Sequence, residues 1–462
     1  MPLRDRAAAA RRHLDRHLFP AAEPGTEPTL TRPQAAALVL GLLALAVVVQ
    51  LARIGWTGSL DALWAEDGPI YLAGAIENGF LDAITTEYAG YLVLVPRLIG
   101  EVGAAVPLRD APAAMAIASA LLVALSGLAV WFAAAGHIAS PVLRGALVAL
   151  TVFTAVGGTE TVVSTANVPW FMLVASFWLL LWKPRSNRSA ALGAAFIAAT
   201  ALSTPGTLFF LPLALLRAFA VRDRRDATIA GAYFGANLVQ LYAVSRSTYD
   251  GVDPVWSGDV WSVLLQRVAD GAVFGLRLGG EIWALLGWPF LILLTVALLG
   301  GLVLGAWRSA PSVRYLAALT IPIAVVMFVV SIYQRAVAIP MLWHEGDWIA
   351  DAGRYALVPV MLLVSLILAM VDRGWRRRNW GERPWLGIAM VTVILISALV
   401  SLPARNVLGR GTPPWSASMD KAERTCSAAP GSAAVFDISP PGFAFQLSCA
   451  TVLASSDAEP RR

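Results

Sequence analysis

Residues 35–53 read AAALVLGLLALAVVVQLAR, an apolar run with no charge before Arg53. A run of that length, wound as a helix, crosses about 30 Å of hydrocarbon, whereas a buried strand needs only about 4 to 8 residues. Ten further apolar blocks follow, at about residues 112–135, 142–157, 168–182, 189–203, 207–221, 228–245, 283–306, 315–334, 355–371 and 385–402. The pattern predicts an all-α polytopic membrane protein with about eleven transmembrane helices. Composition agrees: of 462 residues 58% are hydrophobic and 14% charged, against about 25% charged in soluble domains, and the mean hydropathy is +0.67. An ordinary soluble enzyme is excluded. The net charge of +5 does not indicate nucleic acid, because Arg and Lys sit in short segments between the apolar blocks. Membrane orientation explains them.

Arg4, Arg6, Arg11, Arg12, Arg16 and Arg32 precede the first block, which places the N-terminus in the cytoplasm. Every second connection is then basic too, through Arg144, Lys183, Arg217, Arg314 and Arg373 with their neighbours. An odd number of crossings leaves the C-terminus on the extracytoplasmic side of a plasma membrane. Three parts result: a basic cytoplasmic segment at 1–34, a transmembrane domain at 35–402 and a small extracytoplasmic tail at 403–462. Within the first, Leu3, Ala7, Ala10, Leu14 and Leu18 recur at near-helical spacing, which suits either a helix on an anionic lipid surface or a solvated basic tail. Residues 91–107 are apolar but contain Arg97 and read as an amphipathic or re-entrant helix, since a crossing there would turn every basic connection outward. Cys426 and Cys449 both fall in the tail, where an oxidising compartment permits a disulfide closing a loop of about two dozen residues. Between them VFDISPPGFAFQLSC alternates in period two on either side of Pro440-Pro441, as a small strand pair does.

The outer loops hold the unusual residues. DALWAEDGPIY (61–71) follows the first crossing and carries Asp61, Glu66 and Asp67 beside Trp64 and Tyr71, with Gly68-Pro69 to stiffen the turn. A carboxylate desolvated there has its pKa raised toward working pH and can act as general base; acids at a helix start have the plainer reading of favouring the dipole. Other loops add Tyr91 and Arg97, then Glu160, Asn167 and Trp170 in TETVVSTANVPW, then Arg335, His344, Arg354 and Tyr355 before the tenth crossing. These are side chains able to hold hydroxyls, sugar rings and phosphates, although an interfacial aromatic belt accounts for many of the 17 Trp. Arg354 either pairs with Asp347 or Asp351 or holds a phosphate. His344 with its neighbouring acids is able to ligate a divalent cation, yet the spacing matches no metal signature and no cofactor is called for. Walker A, dinucleotide and nucleophile-elbow motifs are missing.

An N-terminal crossing, a WAEDGPIY loop, many further crossings, a TE…N-PW loop and a late GRY (353–355) together resemble the integral-membrane glycosyltransferases of the GT-C superfamily. More specifically, the chain is similar to a group of bacterial membrane proteins placed with them. The resemblance implies transfer of a sugar from a polyprenyl-phosphate donor to an envelope glycan or lipid acceptor on the extracytoplasmic face, with inversion. It implies a first-loop acid as base, which falls on Asp67 or its neighbour Glu66. Arg354 is then the first choice to steady the departing phosphate, with Arg335, Arg97 and His344 in reserve. A departure from the family is the tail of about 60 residues where a large soluble domain is common. A transporter or lipid-carrier flippase is the main rival, and a scaffold of envelope assembly a third reading; transporters place ionisable groups at the bilayer midplane, while these blocks are nearly free of charge.

Overall fold

The computed structural model describes residues 3–22, 30–157, 159–162, 164–220, 223–249, 258–334, 353–377, 384–403 and 413–456. The first crossing, α2 (Arg32–Ile54), follows a separate helix α1 (Leu3–Leu18) and begins where its sequence says it should. Thr31 caps it, Pro33 sits in its first turn, and the Gln34 side chain accepts the Thr31 N–H at 3.0 Å. After it come a short helix α3 (Leu94–Ala104) and then α4 (Ala111–Ala133), α5 (Pro141–Val152), α6 (Val168–Leu181), α7 (Asn187–Ala201), α8 (Leu211–Ala220) and α9 (Arg224–Arg246). The bundle is completed by α10 (Gly271–Arg308), α11 (Pro311–Gln334), α12 (Arg354–Arg377) and α13 (Pro384–Val400).

Each apolar block is therefore helical, but among the described residues five helices are long and apolar enough to cross a membrane: Arg32–Ile54, Leu108–Gly136, Asp259–Arg308, Pro311–Gln334 and Arg354–Trp375. A tight turn over Pro205–Phe210 takes up the start of the block at 207–221, and α9 is long but carries buried Asn237 and Gln240. Residues 91–107 give only the 11-residue α3, about 16 Å long at 1.5 Å per residue and too short to cross. Helix α12 is apolar all round and its apolar stretch is wholly buried, so it occupies the centre of the bundle.

The two ends of the bundle differ in charge. At one end α1 docks through Leu18 and Phe19, both fully buried, and the Leu18 carbonyl accepts from His137 at 3.1 Å. Asp15 pairs with Lys183 at 2.7 Å, Arg217 pairs with Asp226, and Asp372 accepts the Ala139 and Ser140 N–H groups. At the other end lie the C-terminus of α2 and the N-termini of α6 and α12.

That second end is covered by the tail, which folds as α14 (Trp415–Ala428), an antiparallel pair β1 (Ala433–Ile438) and β2 (Phe443–Ser448), and α15 (Cys449–Ser456). A disulfide joins Cys426 to Cys449, tying α14 to the start of α15. Trp415 stacks on Phe436 and Phe445, with ring centroids 4.9 and 6.2 Å away. Asp61, singled out in the sequence as one of three acids, belongs to this packing: its carboxylate accepts the Ser416 N–H and hydroxyl, each at 2.7 Å, and its carbonyl accepts the Trp415 N–H at 2.9 Å. It caps α14 from a distant part of the chain. Asp61→Ala should accordingly destabilise the tail by about 1 to 3 kcal/mol, visible as faster limited proteolysis between 413 and 456 with the helical bundle still resistant. Unaltered proteolysis would remove the capping role.

Candidate active site

The turn after α2 is shaped by its neighbours before it is shaped by its own propensity. Ala65 adopts a left-handed backbone, φ +42°, a conformation that a non-glycine residue adopts at a cost. It is held there because its N–H donates to the Ser439 carbonyl at 2.5 Å while the Ser439 N–H donates to the Leu63 carbonyl at 3.2 Å. A 3-10 turn over Ala65–Asp67 and a wide π turn over Gly68–Leu72 follow. The two acids consequently diverge. Glu66 is half-buried and accepts the Tyr88 hydroxyl at 3.3 Å. Asp67 is 4% exposed, and its carboxylate accepts the N–H groups of Thr165 and Ala166 at 3.3 and 3.2 Å.

Those donors belong to the turn that opens α6, so Asp67 sits where a helix N-terminus favours negative charge. Burial outweighs that help. Among the described residues no cation pairs with Asp67, and desolvation, with the Glu66 charge adding to it, pushes its pKa up to about 8. Burial likewise pushes the phenol groups of Tyr71 and Tyr88 upward, and Glu66 adds to both.

A second set of residues meets beside the first. Glu160 is 4% exposed and binds Arg354 twice, accepting its backbone N–H at 3.0 Å and its guanidinium at 2.8 Å. Asn167 donates to the Glu160 carbonyl at 2.8 Å and to the Ser164 hydroxyl at 3.1 Å, which fixes the loop. Arg354 begins the central α12; its guanidinium lies 5.1 Å from the Tyr355 ring and its side chain keeps 31% exposure. Trp170 meets Tyr355 edge to face at 5.5 Å. Glu66 acts electrostatically on both Asp67 and Arg354, so the two sets form one cluster.

Comparison with known proteins bears on this arrangement. No protein-family model and no curated protein matches the chain. Among solved structures, the single-particle cryo-EM structure of arabinofuranosyltransferase AftD from Mycobacteria matches 89% of this chain with a TM-score of 0.50 and 13% sequence identity. The chain shares the overall fold of that structure. It spans 30% of the length of AftD.

The fold gives several of these residues partners that local spacing did not suggest. Arg354 pairs with Glu160, 194 positions away, a partner that the sequence spacing did not suggest. Arg97 donates to the Ile70 carbonyl and lies 5.8 Å from the Tyr71 ring, so it fastens α3 to the acid turn instead of presenting a free cation. Tyr91 pairs through its backbone with Tyr88 and closes the same loop. Arg335, His344, Asp347 and Asp351 lie outside the described residues, and among those described no three His, Cys, Asp or Glu side chains come together to hold a metal. Three buried charges escaped the sequence reading: Arg267, whose charge faces Glu160, Asp270 one turn later, and Arg53, which donates to the Leu402 and Thr154 carbonyls. Arg53 had a signal, being a cation at the wrong end of a crossing; Arg267 and Asp270 sat in a segment that read as an ordinary outer loop.

The raised pKa of Asp67 has a stability consequence. The native state keeps this proton up to about pH 8, whereas an unfolded Asp loses it near pH 4, so Asp67 lowers stability progressively as pH rises between those values. Asn stays neutral throughout. The melting temperature of Asp67→Asn should equal or approach that of the parent below pH 5 and exceed it increasingly up to pH 8; a difference independent of pH would contradict the burial of an unpaired carboxyl.

Proposed function

We propose that this protein is a membrane glycosyltransferase that moves a sugar from a polyprenyl-phosphate donor to an envelope glycan or lipid acceptor. The observation that carries the reading is the convergence of a buried carboxyl of raised pKa, a second acid and an exposed-edged Arg at one end of a GT-C fold. The resemblance of the sequence motifs and the likeness to a solved arabinofuranosyltransferase support it. The positive-inside arrangement supports a cytoplasmic N-terminus and an extracytoplasmic tail, which puts the cluster on the outer face.

Asp67 serves as the general base in this reading. An acceptor hydroxyl is a poor nucleophile at neutral pH, and a base whose pKa lies near working pH removes its proton most effectively as the bond forms. The hydroxyl oxygen attacks the anomeric carbon, the bond from that carbon to the phosphate oxygen breaks, and configuration inverts in the single displacement. Polyprenyl phosphate departs as an anion. Arg354 is positioned to steady it, with Glu160 fixing the direction of the guanidinium. Trp170, partly exposed and backed by the buried Tyr355, offers an apolar ring to a sugar.

The carrier-flippase reading draws on one observation, the buried Arg267 and Asp270 beside the interrupted α10, whose backbone turns to positive φ at Gly275 and Gly287. Arg267 acts on Glu160, which supports counting this cation with the terminal cluster. Purified protein with a polyprenyl-phosphate sugar and an acceptor tests the preferred reading. Asp67→Asn should lower transfer by about 100- to 10,000-fold while Tm and donor binding persist. Parental transfer by Asp67→Asn with loss in Glu66→Gln would move the base to Glu66, and parental transfer by both would remove the proposed chemistry.

A further inference from the structure

The tail reaches the acid turn at its most sensitive point. Gly68, the residue after Asp67, lies directly beneath β1 and β2: a Cβ there would stand 2.7 Å from Phe445 Cε1 and 2.9 Å from Ile438 Cδ1, so a larger residue would have to push these side chains aside. On the other side of Asp67, Ala65 takes its left-handed conformation under the hydrogen bond to Ser439, which lies between the same two strands. The residues flanking Asp67 are thus both gripped by the tip of one hairpin. Further attachments hold the tail itself to the first loop, among them the Ser416 contacts with Asp61 and the Trp415 indole N–H, which donates to the Leu108 carbonyl at 2.9 Å. Arg109, next in sequence to Leu108, bridges Asp420 and Glu423 at 2.7 and 3.2 Å.

We infer that the C-terminal hairpin is a clamp that positions the Asp67 turn, with Phe445 and Ser439 as positioning residues for the base. This rests on the reading of Asp67 as the base. A hairpin whose purpose was only to fold the tail would have no need to impose a strained backbone on a segment some 370 positions earlier. Phe445 completes the apolar cover of the turn and helps to exclude water from it. The groups that face Asp67 are Glu66 beside it, Tyr71 on the following turn, and the Thr165 and Ala166 N–H groups from α6. Glu66 is in turn faced by Tyr88 and by Arg354 from α12. Opening the hairpin admits water to Asp67 and leaves these partners in place.

The experiment compares the parent, Phe445→Ala, Gly68→Ala and the double variant in the full chain. Hydrogen–deuterium exchange over residues 64–72 reports the clamp without any appeal to activity. Phe445→Ala should speed exchange there by about tenfold, with exchange in α12 unchanged as proof that the bundle is folded. Gly68→Ala, which crowds Phe445, should do the same, and adding Phe445→Ala to it should cost less than the sum, because the second change makes room for the first. In the transfer assay, Phe445→Ala should lower the rate by about 100-fold through misplacement of the base and move the acid limb of the pH profile to lower pH, since a wetter Asp67 ionises more easily. Parental exchange over 64–72 in Phe445→Ala, or an unmoved acid limb alongside lost activity, would overturn the clamp. Failure of Asp67→Asn to affect transfer would instead strike the base assignment, and the exchange result separates the two.

Discussion

A carboxyl group enclosed in protein with no cation upon it is expensive to ionise, and the acid-turn end of this molecule is organised around that constraint. Asp67 receives two backbone N–H groups from the start of α6 and nothing stronger among the described residues. A full ion pair would have pulled its pKa down and left a permanently ionised, weakly basic group. The available cation is taken elsewhere: Arg354 is committed to Glu160 through both its backbone and its side chain. The two acids of one turn are thereby given different environments, and Glu160 spares Asp67 a partner that would blunt it.

The scaffold makes this separation possible. Helix α12, buried along its apolar length, fixes Arg354 at its first residue, where a central helix has little freedom to shift. Asn167 ties its own turn to the Glu160 backbone, so the acid of the ion pair and the Asp67 donors are held together. Replacing either member of a buried pair leaves the other uncompensated, and here the disturbance would pass directly into the donors of Asp67.

The sequence made the helices legible because eleven apolar blocks are a strong signal. It made the two acids, the TETVVSTANVPW loop and Arg354 legible as polar groups in outer loops beside aromatics. What it could not carry was pairing at a distance. Arg354 was left between nearby acids and a phosphate because local spacing is all a sequence offers, and nothing in that spacing pointed to Glu160. Asp61 stood in the same acidic stretch as Asp67, yet one caps a helix more than 350 positions later and the other is buried against α6. The tail read as a stapled strand pair, with no hint that Gly68 is glycine because Phe445 lies upon it. Five helices among the described residues have the length and composition of a crossing, and the count of about eleven rests on the apolar blocks alone.

The central claim is that the cluster of Asp67, Glu66, Glu160 and Arg354 handles a sugar leaving a polyprenyl phosphate. A cryo-EM structure of the full chain with a non-hydrolysable polyprenyl-phosphate sugar tests it most directly. The account places the donor phosphate within hydrogen-bond distance of Arg354 and the anomeric carbon on the Asp67 side, with room for an acceptor hydroxyl between them. Donor density at the α1 end of the bundle, or a sugar remote from the acid turn, would contradict it.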